Sequence, residues 1–468
     1  MQSSTEHNMF LHTPLGALFV KTALPIILVM LTNGLFTVVD GWFIGRFIGA
    51  DALSAVTMVF PLYMVIVALA TLVSGGFSSI FARYLGAGEL DLARKSLSSA
   101  MLLALLICFL LVALYMAGGY DLALAIANGS LELAGMGDVY LSLSVYFSIL
   151  FFYGALFSDM LRCQGYMGFM TLVTVGANVL NGVCNYILVV HYDMGVAGAA
   201  YGTAMAQTLA IIATLSFSIV KSEAIKVRLP KVGALTLNWR QYLALGAPTS
   251  LTYVGVSALT GSIIYQMQNW SGDNYAASAA AYGIINRLFT FGYMPLLGMT
   301  LAQQTIVGNN YGGGLMDRAF TTLKIGIGIS FVYCATLQFC FTFFAEDIAA
   351  LFVDDPAVIA ETTRIMPLIM SLYILFGPLL MISNFFQAVG DAGRAALLSL
   401  TRVYLIAVPS ILLLPNIFGE IGIWYASPLT ELLGAVLTIV VVGWTLRKSR
   451  NLKIWMERRY SAMGPVEA

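Results

Sequence analysis

The chain has 468 residues, 59% hydrophobic and only 10% charged, with a mean hydropathy of +0.87 and a formal net charge of zero. A soluble protein of this length needs far more charge to cover its surface, and a neutral chain offers nucleic acid no electrostatic footing. The apolar runs are about 20 residues long and nearly unbroken, not the ~10-residue alternating segments of a barrel, so the fold class is an all-α polytopic membrane protein.

In chain order, the opening stretch MQSSTEHNMFLHTPLGALFVK has no basic start and no small-residue cleavage site, and no signal peptide is expected. Windows of about 19 residues predict twelve spans. They fall at 22–45, 52–82, 96–118, 138–161, 168–190 and 196–220, then at 242–270, 277–307, 320–344, 362–388, 395–416 and 421–446. All but Arg46, Arg287, Arg364 and Arg402 of the 23 Lys and Arg then fall on one side. The opposite loops hold Asp121, Glu132, Asp138, Glu346, Asp347, Asp354 and Asp355. The positive-inside rule places both termini in the cytoplasm, and an even number of spans agrees with that. Cys108, Cys163, Cys184, Cys334 and Cys340 lie in or beside apolar runs without CxxC spacing, so they read as small core residues rather than disulfides or metal ligands.

The two halves repeat at a nearly constant offset. Ala52-Leu53-Ser54-Ala55 matches Ala276-Ala277-Ser278-Ala279, offset 224. YLGAGELDLA (84–93) matches YGGGLMDRA (311–319). Gly165 and Gly168 match Gly390 and Gly393, and Gly195, Gly198 and Tyr201 match Gly419, Gly422 and Tyr425. Six spans per repeat is even, so the halves enter the membrane the same way and relate by a pseudo-two-fold axis along the membrane normal, an arrangement of transporters. The expected organisation is a cytoplasmic tail (1–20), an N-lobe (21–220), a basic linker (221–241), a C-lobe (242–446) and a basic tail (447–468). Pro25 and Pro248 hold matching places early in spans one and seven, where a proline permits a bend.

Polar residues inside such spans are costly and mark sites. Asp40 interrupts NGLFTVVDGWFIG (33–45), whose nearest bases, Lys21 and Arg46, flank the run. An aspartate at mid-helix costs roughly 2.5–3.5 kcal/mol on insertion scales. Asn33, Thr37 and Asp40 share one helical face, and the fifth span carries a longer stripe of Thr171, Thr174, Asn178, Asn181 and Asn185. At ~1.5 Å per residue, Asp40 and Asn185 lie at one depth, about 7 Å below the outer face, and Thr203 and Gln207 of the sixth span extend the same pocket. An acid without a fixed base is then a site whose positive partner comes and goes, as a proton or as Na⁺ at Asp40, Asn181 and Asn185. In the second half Arg287, Arg402 and Glu431 lie near mid-membrane, and Arg402 and Glu431 are expected to pair. That trio is either a second substrate or coupling site or a network that fixes packing. Asp159 and Arg162 are expected to form a local i, i+3 pair.

TVVDGWFIGRFIGADALSAV (37–56), ARYLGAGELDLARKS (82–96), ANVLNGVCNYILVV (177–190) and MGVAGAAYGTAMAQ (194–207) form an ordered set with LAQQTIVGNNYGGG (301–314), LSLTRVYLIAVP (398–409) and IGIWYASPLTELLGAVLT (421–438). The set resembles the multidrug and toxin extrusion (MATE) family in its MepA-like bacterial branch, over almost the whole chain. The resemblance implies a twelve-helix, two-lobed exporter of amphipathic, often cationic compounds, coupled to inward Na⁺ or H⁺ flow, in the bacterial inner membrane. It departs from the family at Asn185, where the stripe often ends in an aspartate. One carboxylate fewer tilts the expectation toward a proton as the coupling ion. No cofactor is expected, the partners are small amphipathic substrates and the lipid bilayer, and the chain is expected to act as a monomer. A flippase for lipid-linked saccharides is the alternative. A membrane-embedded transferase is disfavoured, because His7, His12 and His191 all lie outside the deep spans.

Overall fold

The computed structural model describes residues 8–127, 130–221, 236–449 and 451–467. The expected basic linker residues Lys226, Arg228 and Lys231, and Arg450 of the tail, lie outside the described residues. A short helix, Met9–His12, precedes α1 (Leu15–Ile48), α2 (Ala50–Gly86), α3 (Leu90–Ile126) and α4 (Leu131–Tyr146 and Ser148–Cys163, bent by 48°). There follow α5 (Met167–His191), α6 (Gly195–Val220), α7 (Trp239–Trp270), α8 (Tyr275–Gly312) and α9 (Met316–Phe343). The series closes with α10 (Pro356–Met370 and Tyr373–Ala388, bent by 45°), α11 (Ala392–Phe418), α12 (Ile421–Arg447) and α13 (Leu452–Glu467). Nine single helices and both bent pairs are long and apolar enough to cross a membrane. The 38-residue α8 completes the twelve; its lower hydropathy comes from Asn286 and Arg287 and from the buried Gln303, Gln304, Asn309 and Asn310. Helices suit such a chain because they satisfy every backbone donor and acceptor within the segment.

Where a span breaks, side chains take over that duty. At the bend of α10, Gln338 of α9 donates from Nε2 to the Ser371 carbonyl (2.9 Å), and its Oε1 accepts from the Ile374 amide (2.8 Å).

Two compact units emerge. One gathers the described residues before Thr13 together with Leu28–Ser250; the other gathers Thr13–Ile27 and the described residues from Leu251 onward. These differ from lobes bounded at 21–220 and 242–446, because the first turns of α1 and of α7 each pack in the unit opposite to the rest of their helix. Glycines make those crossings close. In the first unit, a Cβ on Gly246 would lie 1.8 Å from the Leu72 carbonyl oxygen, and one on Gly76 would lie 2.0 Å from the Tyr242 carbonyl oxygen. In the second unit a Cβ on Gly298 would lie 3.0 Å from the Ile27 backbone. The switch from one unit to the other falls two residues after Pro25 and two after Pro248.

The repeat extends to backbone conformation. Gly88 and Gly314 have φ of 76° and 73°, and Gly165 and Gly390 have φ of 90° and 89°. These left-handed turns sit at offsets of 226 and 225, and only glycine takes them without strain.

The basic tail carries more order than its composition indicates. α13 buries Leu452, Trp455 and Met456 (8%, 8% and 0% exposed) in a cluster with Tyr311, Phe385 and Phe386. Lys453 pairs with Asp317 at 2.7 Å, which draws the lysine pKa upward, and Arg459 reaches Asp391 at 3.6 Å. Trp455 lies between the guanidinium groups of Arg394 (5.1 Å) and Arg459 (5.7 Å).

Gly246→Ala should lower the thermal midpoint by the equivalent of about 3 kcal/mol, the upper end of overpacking costs. Gly261→Ala, on the same helix with open space around it, should be neutral or stabilising by ~0.5–1 kcal/mol. Equal midpoints for the two variants would contradict the close crossing.

Candidate functional site

The site in the first unit is built where α1, α5 and α6 meet. Asp40 lies one turn before the π-helical end of α1 (Ile44–Ile48), and Asn185 closes the α-helical part of α5 before its own π-helical end (Tyr186–His191). Wide turns of this kind collect at functional sites, because the extra residue re-aims the side chains beside it. A Cβ on Gly182 would stand 3.7 Å from the Phe36 ring, an ordinary van der Waals contact between α5 and α1.

The polar side chains form a chain of hydrogen bonds. Asn185 Nδ2 donates to Asp40 Oδ1 at 2.7 Å and to Asn181 Oδ1 at 3.1 Å. Asn181 Nδ2 donates to Thr203 Oγ1 at 2.7 Å, and the Thr203 hydroxyl donates to the Ala199 carbonyl at 3.1 Å. Asn185 and Asn181 are buried, and Asp40 is half-buried. Asp40 enters no ion pair among the described residues. Its carboxylate acts electrostatically on Tyr63 and Tyr140, whose rings are 6.5 Å apart. Asn185 Oδ1 is fully buried and has no donor among the described residues.

Not every expected residue joins this chain. Asn33 accepts from Asn178 Nδ2 at 2.8 Å, a separate α1–α5 tie two turns away. Thr37 is exposed and turns its hydroxyl back to the Asn33 carbonyl (3.1 Å), so the α1 stripe reaches the cluster through Asp40 alone. Gln207 is half-buried and makes no hydrogen bond among the described residues.

Sequence reasoning missed Gly202. A Cβ there would lie 2.3 Å from Asn185 Oδ1 and 3.3 Å from its backbone nitrogen. α6 thus leaves a side chain out so that Asn185 can stand between Asp40 and Asn181. Nothing in the sequence separates this glycine from the many that serve packing. Gly202→Ala should displace the Asn185 amide and lower export at least tenfold with the protein still folded. Export at the unsubstituted rate would show that the Asp40–Asn185 bond is dispensable.

In the second unit, Arg402 lies in a π-helical turn of α11 (Thr401–Ala407) and donates from Nη2 to Glu431 Oε1 of α12. Its guanidinium sits 4.4 Å from the Phe376 ring centroid on α10, so one side chain ties three helices. Glu431 is buried, and its second oxygen and the Arg402 Nε have no partner among the described residues. Arg287 joins neither residue; it is exposed on α8. The expected Asp159–Arg162 pair is present at 2.8 Å.

The repeat serves as its own control. α7 and α11 hold the places in the second repeat that α1 and α5 hold in the first. Gln266 donates from Nε2 to the Ile411 (3.1 Å) and Leu412 (2.9 Å) carbonyls, tying α7 to α11 as Asp40 and Asn185 tie α1 to α5. A neutral amide thus ties this helix pair in the second repeat, where the first uses an acid.

Twelve membrane-crossing helices in two equivalent sets of six are the architecture of a polytopic transporter. The chain belongs to the MatE family: the family model matches twice, over residues 25–187 and 248–413, once in each repeat. It is thus a multi-pass membrane protein of the MATE family of multidrug efflux transporters. It is 23% identical over 438 residues to the multidrug export protein MepA of Staphylococcus aureus (strain NCTC 8325 / PS 47), covering 92% of this chain and 94% of that protein. It is 24% identical over 442 residues to an FAD transporter of Shewanella oneidensis, covering 90% and 93%. A multidrug resistance MATE family transporter of the MOP superfamily, solved in an outward-facing conformation, shares the fold at a TM-score of 0.82 and 21% identity, over 97% of this chain and 98% of that chain. A MOP superfamily transporter from Pyrococcus furiosus superposes with the same score, identity and coverage.

Proposed function

We propose that the chain exports amphipathic, positively charged small molecules by antiport against an inward-moving cation, with Asp40 as the coupling carboxylate. The carrying observation is that Asp40, an acid within a span, is held by the neutral Asn185 and enters no ion pair among the described residues. Asn185 suits both states of that acid. Its Nδ2 donates to the ionised carboxylate, and its orphaned Oδ1 can accept from a protonated Asp40 once the amide rotates. A proton therefore fits without rebuilding the site. Na⁺ would draw on the same carboxylate with the Asn181 and Asn185 oxygens, and this small oxygen set favours the proton. One proton exchanged for one monovalent cation moves no net charge, so the pH gradient drives the exchange, at about 1.4 kcal/mol per pH unit. The working form in this reading is a monomer in the bacterial inner membrane, with both termini in the cytoplasm and no cofactor.

Efflux of a permanently charged fluorophore such as ethidium from vesicles, with pH and Na⁺ gradients imposed separately, tests the reading. Export driven by the pH gradient alone is expected. Export that continues with both gradients collapsed would remove the antiport.

A further inference from the structure

Arg287 is a cation deep inside a span of the second unit that has no counter-charge among the described residues. It is the thirteenth residue of α8, ~18 Å from the outer end of that helix. α8 contains no acid, and Arg287 makes no ion pair or hydrogen bond among the described residues. The paired acids of this unit hold other bases. Glu431 holds Arg402, Glu361 and Glu420 both hold Arg364, and Asp391 holds Arg394.

Its surroundings form an exposed face of α8. Gly283, Asn286, Arg287, Thr290 and Phe291 are all exposed and fall on one helical face, and Gly283 has nothing within 4 Å of its Cβ position. An ionised side chain at this depth is retained where it meets water or a counter-charge, not lipid. The repeat again supplies the comparison. At an offset of 224, Arg287 corresponds to Tyr63, which packs against Phe60, Tyr140 and Phe151 and lies within electrostatic reach of Asp40. Packing at this position is met by a neutral ring in one repeat, so the charge in the other has a separate use. The matched helix pairs therefore carry opposite polarity: an acid without a base on α1, and a base without an acid on α8.

We propose that Arg287 receives the oxyanion of an aromatic organic anion. A guanidinium presents a planar fork of donors that matches a carboxylate or phosphate. Phe291, one turn further along and 41% exposed, offers a face for the ring that carries it. Calling that anion a substrate rests on the export reading; the binding site itself does not. Substrates then extend beyond simple cations to acids and zwitterions.

The test is equilibrium dialysis of 2-naphthoate and 2-naphthyl phosphate, with methyl 2-naphthoate as the uncharged control, against the full chain in phosphatidylcholine nanodiscs. These discs carry no net lipid charge, and empty discs correct for partition. Arg287→Gln should weaken naphthoate or naphthyl phosphate at least tenfold, as expected for loss of a charge-assisted bond. Arg287→Lys should recover part of that loss, and the ester should bind all three forms alike. The tighter of the two anions identifies the oxyanion. Equal naphthoate and phosphate affinities for the unsubstituted chain and Arg287→Gln, or a parallel loss of the ester, would overturn the proposal. The assay reads no transport, so a failure of antiport leaves its result intact.

Discussion

Asp40→Asn is expected to bring export of a fluorescent cation down to the level of cells lacking the protein, with expression and thermal stability undiminished. The two effects separate because they have different causes. An asparagine at position 40 keeps an oxygen where Asn185 Nδ2 donates at 2.7 Å, so the tie between α1 and α5 survives. It also removes a charge that costs roughly 2.5–3.5 kcal/mol to hold at mid-helix, so the folded protein has nothing to lose. What disappears is the group whose occupancy by a cation can bias one conformation over another. A structural aspartate would behave in the reverse way, with stability falling and transport persisting. Expression and export, measured together in one strain, distinguish the cases.

The second large effect is one of stability. Arg402→Met leaves Glu431 buried with no counter-charge, and breaking a buried pair in this way costs about 3–5 kcal/mol. It also frees the Phe376 ring from its cation. Adding Glu431→Gln to Arg402→Met should restore much of the loss, because the uncompensated charge is then gone. Glu431→Gln alone should lower the thermal midpoint while leaving cation export in place. At an offset of 224 the first repeat has Asn178 and Gln207 at these positions, both neutral. The ion pair is therefore a feature of one lobe and not of the repeat. Loss of export by Glu431→Gln at full stability would reassign it from helix packing to coupling.

Much of this architecture was legible in the sequence because its signals are local. The stripe from Thr171 to Asn185 steps by three and four, and such a face on an apolar helix has to meet protein or water. The Arg402–Glu431 pair followed from the cost of leaving either charge alone in a span. The exchange of the first turns of α1 and α7 between units was not legible. It rests on Gly76 and Gly246, which look like any other membrane glycine until the opposing carbonyl is seen at 2 Å or less from the missing Cβ. The bends in α4 and α10 were hidden for another reason: their apolar runs continue through Phe147 and Leu372, and hydropathy does not register a change of direction. α13 was obscured by its charge, although Leu452, Trp455 and Met456 already stand at helical spacing. Gly202 is the most consequential omission, since its contribution is empty space.

The cation held at Asp40 and the exported molecule should exclude one another. Ethidium added to the purified chain in weakly buffered solution should release protons from the unsubstituted protein, read as a fall in pH that saturates with binding. Asp40→Asn should bind the same compound without that release. Equal release from both forms would place the exchanged proton elsewhere and contradict the assignment of Asp40.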